Sequence, residues 1–295
     1  MSDNLPAYLL ALSAGFFYSI SAILCKRGLE LGAGTLRSLV FSNLVMSLCF
    51  VPYPFFAEIE LSGSDLLTGS CLGFLFFSAQ FFCFLALREG DASLMTPIMG
   101  SKPIFVALFL MLAGLSTQAP SIETWIAAIL TTFAVALIGW PSSKSRTSYR
   151  GLILALCAAA GFGLLDSLVP HFTHKSDPFN ILFCVFGTVG AFSLFLIPWS
   201  EGNLIPYRPA SDLWMWASAF PMGAQAVLMS MAIGLYRVPT EANVFYSCRG
   251  LWAVLLVACI GNAIGLKEGK AHSSIILRRL IGATALALGV WLIGM

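Results

Sequence analysis

The sequence predicts an all-α integral membrane protein: ten transmembrane helices forming two inverted five-helix repeats around a central cavity. Three observations carry that prediction. The chain is 58% hydrophobic and only 10% charged, with a mean hydropathy of +0.88, whereas soluble domains carry about 25% charged residues. Its apolar residues fall into ten runs near ~20 residues, the length a helix needs to cross the hydrocarbon core. The last five runs repeat features of the first five at an offset of about 147 residues.

The runs in the first repeat, residues 1–140, are 7–25, 36–53, 65–87, 91–114 and 122–140. No basic stretch precedes the first apolar segment in MSDNLPAYLL, so it is expected to be a retained helix and not a cleaved leader. The basic loop 141–150, PSSKSRTSYR, separates the repeats. The second repeat, residues 151–295, holds the runs 151–169, 179–198, 212–235, 239–264 and 276–294. Breaks such as RGLELGAG, STQAPS, HKSDP and YRVP carry the glycine, proline and polar punctuation of turns. Their shortness leaves no room for a soluble domain.

Internal similarity appears at three places. LLALSAGF near Leu9 resembles LILALCAAAGF near Leu152, SAQFFCFLAL around Gln80 resembles GAQAVLMSMAI around Gln225, and IAAILTTFAVALIGW resembles IGATALALGVWLIGM. Five is an odd number, so the second repeat enters the membrane inverted relative to the first, a plan that puts binding sites near the midplane. Lys and Arg are distributed unevenly around it. The loops opposite the termini hold twelve of them, Arg37 included, and the terminal side holds only Lys175 and Arg237. The positive-inside rule then places both termini outside the cytoplasm.

The run Asp91 to Gly114 is the most informative. It carries Lys102 at its centre, flanked by Pro97 and Pro103. A lysine at membrane depth costs at least ~2.5–3.5 kcal/mol and calls for a partner, a wet cavity or a function. Proline frees backbone carbonyls that protein or water must then satisfy. The equivalent run, TEANVFYSCRGLWAVLLVACIG, places Arg249 where Lys102 stood. As a functional pair the two cations would bind a substrate carboxylate or phosphate. As structural residues they would pair with Asp166 or cap the carbonyls of broken helices.

Other candidates are weaker and each has a structural alternative. Gln80 and Gln225 occupy equivalent places and suit either a polar substrate or helix–helix hydrogen bonding. Asp166 suits a pairing with Arg249, a substrate ammonium, or a position at the helix end near headgroups. Tyr18, Asn243 and Tyr246 are candidate lining residues, with Ser21, Asn43 and Ser247 beside them. The substrate-binding set is therefore Lys102, Arg249, Gln80, Gln225, Asp166, Tyr246, Asn243 and Tyr18.

The sequence argues against several function classes. A net charge of +2 gives no reason to expect nucleic acid. The eight cysteines show no CxxC or Cys/His spacing, so they read as buried apolar residues, and neither metal nor cofactor is expected. The chain has no P-loop for ATP, and no HExxH, GxSxG or paired aspartates within a span to support an enzyme.

The blocks ALREGDASLMTPIMGSKPIFVALFLMLAG and AIGLYRVPTEANVFYSCRGLWAVLLVACIG, each followed by a helix ending ALIGW or WLIGM, resemble the drug/metabolite transporter superfamily, EamA type. The resemblance covers nearly the whole chain. It implies a polytopic transporter with a cavity lined by helices 1, 3, 4, 6, 8 and 9. Sugar-phosphate translocators of the same superfamily are similar in using basic residues of these helices to bind their substrates. Two features depart from the pattern: bacterial members keep both termini in the cytoplasm, and the usual glutamate after helix 4 is replaced here by Leu115-Ser116. The expectation is a secondary transporter of the cell membrane, monomeric, moving a small organic anion or amino acid by alternating access, with a coupling proton or counter-substrate and with lipid as its surroundings. The alternatives are a broad-specificity exporter of amphipathic compounds and a non-transporting membrane binding or sensor subunit.

Overall fold

A computed structural model describes residues 4–89, 98–114, 120–139, 149–201, 204, 209–260, 263–264 and 273–294. Helices are the only regular structure among them. They are α1 (Leu5–Glu30), α2 (Thr35–Phe50), α3 (Gly63–Glu89), α4 (Lys102–Leu112), α5 (Ile122–Gly139), α6 (Tyr149–Lys175), α7 (Pro178–Phe195), α8 (Pro209–Gly234), α9 (Pro239–Tyr246), α10 (Arg249–Ile260) and α11 (Ser273–Gly294). Short 3-10 turns, Tyr53–Phe56 and Ile197–Trp199, follow α2 and α7. Six segments among the described residues are long and apolar enough to cross a membrane, and they coincide with α1, α2, α3, α6, α7 and α8. The outer surface carries exposed Phe55, Phe74, Phe195, Leu213 and Trp291, as a protein solvated by lipid requires.

Two of the predicted runs are broken, and the break falls at the same place in each. In the run 91–114, Ile98 and Met99 are helical, Gly100 and Ser101 form a turn, and α4 begins at Lys102. In the run 239–264, α9 ends at Tyr246, Ser247 and Cys248 form a turn, and α10 begins at Arg249. Neither break unwinds the chain. Ser101 (φ −73°, ψ −2°) and Ser247 (φ −66°, ψ −14°) stay in the right-handed helical region. The hydrogen bonds shorten to three residues instead: Ser101 N–H donates to Ile98 O at 3.0 Å, and Cys248 N–H to Phe245 O at 3.1 Å. Pro103, lacking an N–H, explains the first break. The second has no proline, and its cause lies in packing described below. Pro97, Ser93 and Thr96 of the first run lie outside the described residues.

The major packing joins helices distant in sequence. α1 lies along α8, and α3 lies along α6. α2 packs on α8 as α3 packs on α7. α4 packs on α6, while α9 and α10 pack on α1. α2 with α7 and α5 with α11 complete the set. Exchanging the N-terminal and C-terminal helices maps this list onto itself. The central cluster mixes both ends of the chain, joining Ala7, Ala11, Phe50, Leu165, Val185, Ile233 and Tyr246 in one buried core.

Polar contacts fix two corners of the bundle. Arg37 in the first turn of α2 makes a two-point ion pair with Asp212 in the first turn of α8, its Nη2 lying 2.9 Å from Oδ2. Both side chains are buried. Arg37 was expected to sit in a loop as one of the charges setting orientation, so its burial in the first turn of α2 corrects that placement. At the other corner Asp177 caps α7, accepting from Phe179 N–H at 2.8 Å and from Glu58 N–H at 2.9 Å. Removing one partner of a buried pair strands the other charge and costs about 3–5 kcal/mol. Arg37→Met is therefore expected to lower the thermal midpoint of the detergent-solubilised protein sharply. Adding Asp212→Leu should recover most of the loss, and a double variant no better than the single one would show that the pair is not the cause.

Candidate functional site

Of the eight residues singled out from sequence, six fall into two neighbouring clusters, Gln80 makes a separate contact, and Gln225 joins none of these. In the first cluster Lys102, the first residue of α4, places its Nζ 2.6 Å from Asp166 Oδ2 on α6. Asn243 on α9 donates from Nδ2 to the same carboxylate oxygen at 2.6 Å, and also to Pro239 O at 2.8 Å. The Lys102 ammonium lies 5.7 Å from the Phe162 ring centroid. Asp166 and Asn243 are 6% and 1% exposed, so this contact is withdrawn from bulk water. Pro170, four residues after Asp166 within α6, leaves the backbone carbonyl of Asp166 without its helical donor.

The second cluster is built around Arg249, the first residue of α10. Its guanidinium carbon lies 4.6 Å from the Tyr18 ring centroid and 4.6 Å from that of Tyr246. The two rings meet edge to face with centroids 5.9 Å apart. Among the described residues no carboxylate lies within ion-pair distance of Arg249. Aromatic faces attract a cation, by about 2 kcal/mol or more when desolvated, but they leave its charge in place. The clusters adjoin through α9, since Asn243 and Tyr246 stand three residues apart and so share a helix face.

Close backbone approach explains the break that has no proline. Gly15 of α1 lies so near the turn that a Cβ there would come within 2.9 Å of Tyr246 O and 3.3 Å of Arg249 N. One turn on, Ser19 Oγ donates to Arg249 O at 2.8 Å and to Gly15 O at 2.8 Å. The hydroxyl thus ties α1 to the first residue of α10. α6 repeats the device on α4. A Cβ on Gly163 would meet Phe105 Cβ at 2.6 Å, while Ser167 Oγ lies 3.2 Å from Val106 O and 2.8 Å from Gly163 O. Sequence reasoning did not single out Gly15, Ser19, Gly163 or Ser167. The available signal was GFFYS at 15–19 and GLLDS at 163–167, a glycine and a serine four apart in both the first and sixth runs.

Asp166 takes the structural alternative of pairing with one of the two cations: it is buried within α6 and its partner is Lys102, not Arg249. Gln80 and Gln225 were treated as equivalent, but they are not used alike. Gln80 exchanges amide hydrogen bonds with Asn43 at 2.9 and 3.0 Å, and Asn43 also donates to Ser193 Oγ at 2.9 Å, tying α2, α3 and α7 together. Gln225 lies half-buried on α8 and shows no side-chain hydrogen bond among the described residues.

Residues 5–140 match a known family. That stretch belongs to the EamA-like transporter family, within the drug/metabolite transporter superfamily. The EamA-like match includes Tyr18, Gln80 and Lys102. A solved crystal structure of a protein superposes on the chain with a TM-score of 0.73 at 16% identity, covering 96% of this chain and 97% of the other. At that identity the likeness concerns the fold. No curated protein sequence matches. The EamA-like match over residues 5–140 and the long apolar helices together indicate a membrane transporter of the drug/metabolite type.

The Asn43–Gln80 pair yields a prediction that separates adhesion from binding. Asn43→Ala and Gln80→Ala should each destabilise the fold by about 1–3 kcal/mol, because each strands a buried amide. Thermal denaturation of the double variant should show a coupling of at least about 0.5 kcal/mol. Additive effects would mean that the amides act independently.

Proposed function

We propose that the protein is a secondary transporter of the cell membrane that moves a small organic anion by alternating access. Its ten spans act as two inverted five-helix repeats, residues 1–140 and 151–295, that rock about a central site. The matching breaks at Gly100-Ser101 and Ser247-Cys248 support this reading, as does the packing that maps onto itself when the halves are exchanged. The fixed cations then stand near the midplane, each at the start of a half-helix whose N-terminal dipole end is itself positive. Such a place favours negative charge.

One observation carries the substrate class. Among the described residues, Lys102 has a carboxylate partner and Arg249 has none. The remaining positive charge belongs to a guanidinium, whose planar N–H groups suit bidentate contact with a carboxylate. Tyr18 and Tyr246 orient it, and Gln225 is a further polar group available to the cargo. Asn243 links Asp166 to the helix that carries Tyr246, so occupation of the arginine is felt at the lysine pair.

Thermal stabilisation of the purified protein by a panel of carboxylates, phosphates and organic cations tests the proposal. A ligand that binds only the folded state contributes about 2.7 kcal/mol at a hundredfold excess over its dissociation constant. Carboxylates should raise the midpoint of the native protein, and Arg249→Ala should abolish the rise. Stabilisation by lipophilic cations alone, or a carboxylate shift that survives in Arg249→Ala, would overturn the anion site.

A further inference from the structure

Tyr18 and Asp166 occupy the same slot in the two halves of the molecule. Each directly precedes the serine of a glycine–serine clamp, Gly15 with Ser19 and Gly163 with Ser167. Each faces the cation that opens a half-helix in the other half of the chain, Arg249 for Tyr18 and Lys102 for Asp166. The slots are separated by 148 residues and the cations by 147. Chemically the slots differ in one respect. The carboxylate of Asp166 cancels the lysine charge at 2.6 Å, whereas the ring of Tyr18 lies 4.6 Å from the guanidinium carbon and cancels nothing.

We propose that residues 18 and 166 set the charge of the cargo, so that the site accepts one anionic group on Arg249 and is closed to a second at Lys102. This rests on the anion-site reading above and narrows it. A monoanion brings the charge of the two clusters to zero. A dianion leaves one negative charge without a counter-ion in a site withdrawn from water, where an unpaired charge is costly. A zwitterion needs a carboxylate for its ammonium, and the available one, Asp166, is already held by Lys102 and Asn243. The selected cargo is therefore a monoanionic organic acid, in preference to an amino acid or a dianion. Tyr18 is the specificity-determining residue on the open side because an acid there would close Arg249 as Asp166 closes Lys102.

The test measures binding of glutaramate, with one carboxylate, and glutarate, with two, by thermal shift on the full-length purified protein. The native protein should bind glutaramate at least tenfold more tightly than glutarate. Asp166→Asn, which releases Lys102, should move that ratio at least tenfold toward glutarate. Tyr18→Asp should bind glutaramate at least tenfold more weakly than Tyr18→Asn, which matches its size without the charge. If Asp166→Asn does not yield folded protein, the Tyr18 comparison decides alone. An unchanged ratio in Asp166→Asn, or equal binding by Tyr18→Asp and Tyr18→Asn, overturns this inference while leaving the Arg249 site standing. Absence of any carboxylate shift in the native protein overturns both.

Discussion

A cation set among packed apolar helices constrains everything around it, and this chain places two. Both stand at the first residue of a half-helix, where the peptide dipoles already add positive potential. Neither would persist there without an answering group. Lys102 obtains a carboxylate from α6; Arg249 obtains the faces of two tyrosines from α1 and α9. The two solutions differ in energy as well as chemistry. An ion pair is nearly self-sufficient, whereas a cation against aromatic rings retains its charge. The asymmetry leaves one cation paired with a carboxylate and the other, among the described residues, with aromatic rings alone.

Each half-helix is packed closely by a helix from the other half of the chain. Ser19 reaches Arg249 O and Ser167 reaches Val106 O, and the glycine one turn earlier on each helix permits the approach. The polar contact among Asn43, Gln80 and Ser193 is of another kind. Its amides answer one another, leaving little capacity for a ligand, and it holds α2 against α3 and α7.

Much of this was legible in the sequence because lipid makes local patterns decisive. Run length and hydropathy located the helices, and the self-similarity of the halves directed attention to Lys102 and Arg249 as equivalents. Pro103 marked one break. What stayed hidden was register between helices far apart in the chain. A helical face says which way Asp166 points but not whether lysine or arginine arrives opposite it. The same limit concealed the Gln80–Asn43 contact and made two similar glutamines look interchangeable. Arg37 looked like a loop charge because its partner, Asp212, lies 175 residues away. The second break gave no sign of its own, because its cause, Gly15, stands on a different helix.

The pairing of helices across the chain has a consequence for biosynthesis. Among the described residues of the N-terminal half, the main contact between its own helices is α4 on α5; α1, α2 and α3 find their principal partners among α6, α7 and α8. When the helices of the N-terminal half have left the ribosome, they lack the partners they pack against. Lys102 enters the bilayer before Asp166 has been synthesised and must cover its charge with water or headgroups until α6 arrives. The folding nucleus therefore forms late, and a chain stopped after its first half would present unsatisfied polar groups to the membrane's quality-control proteases.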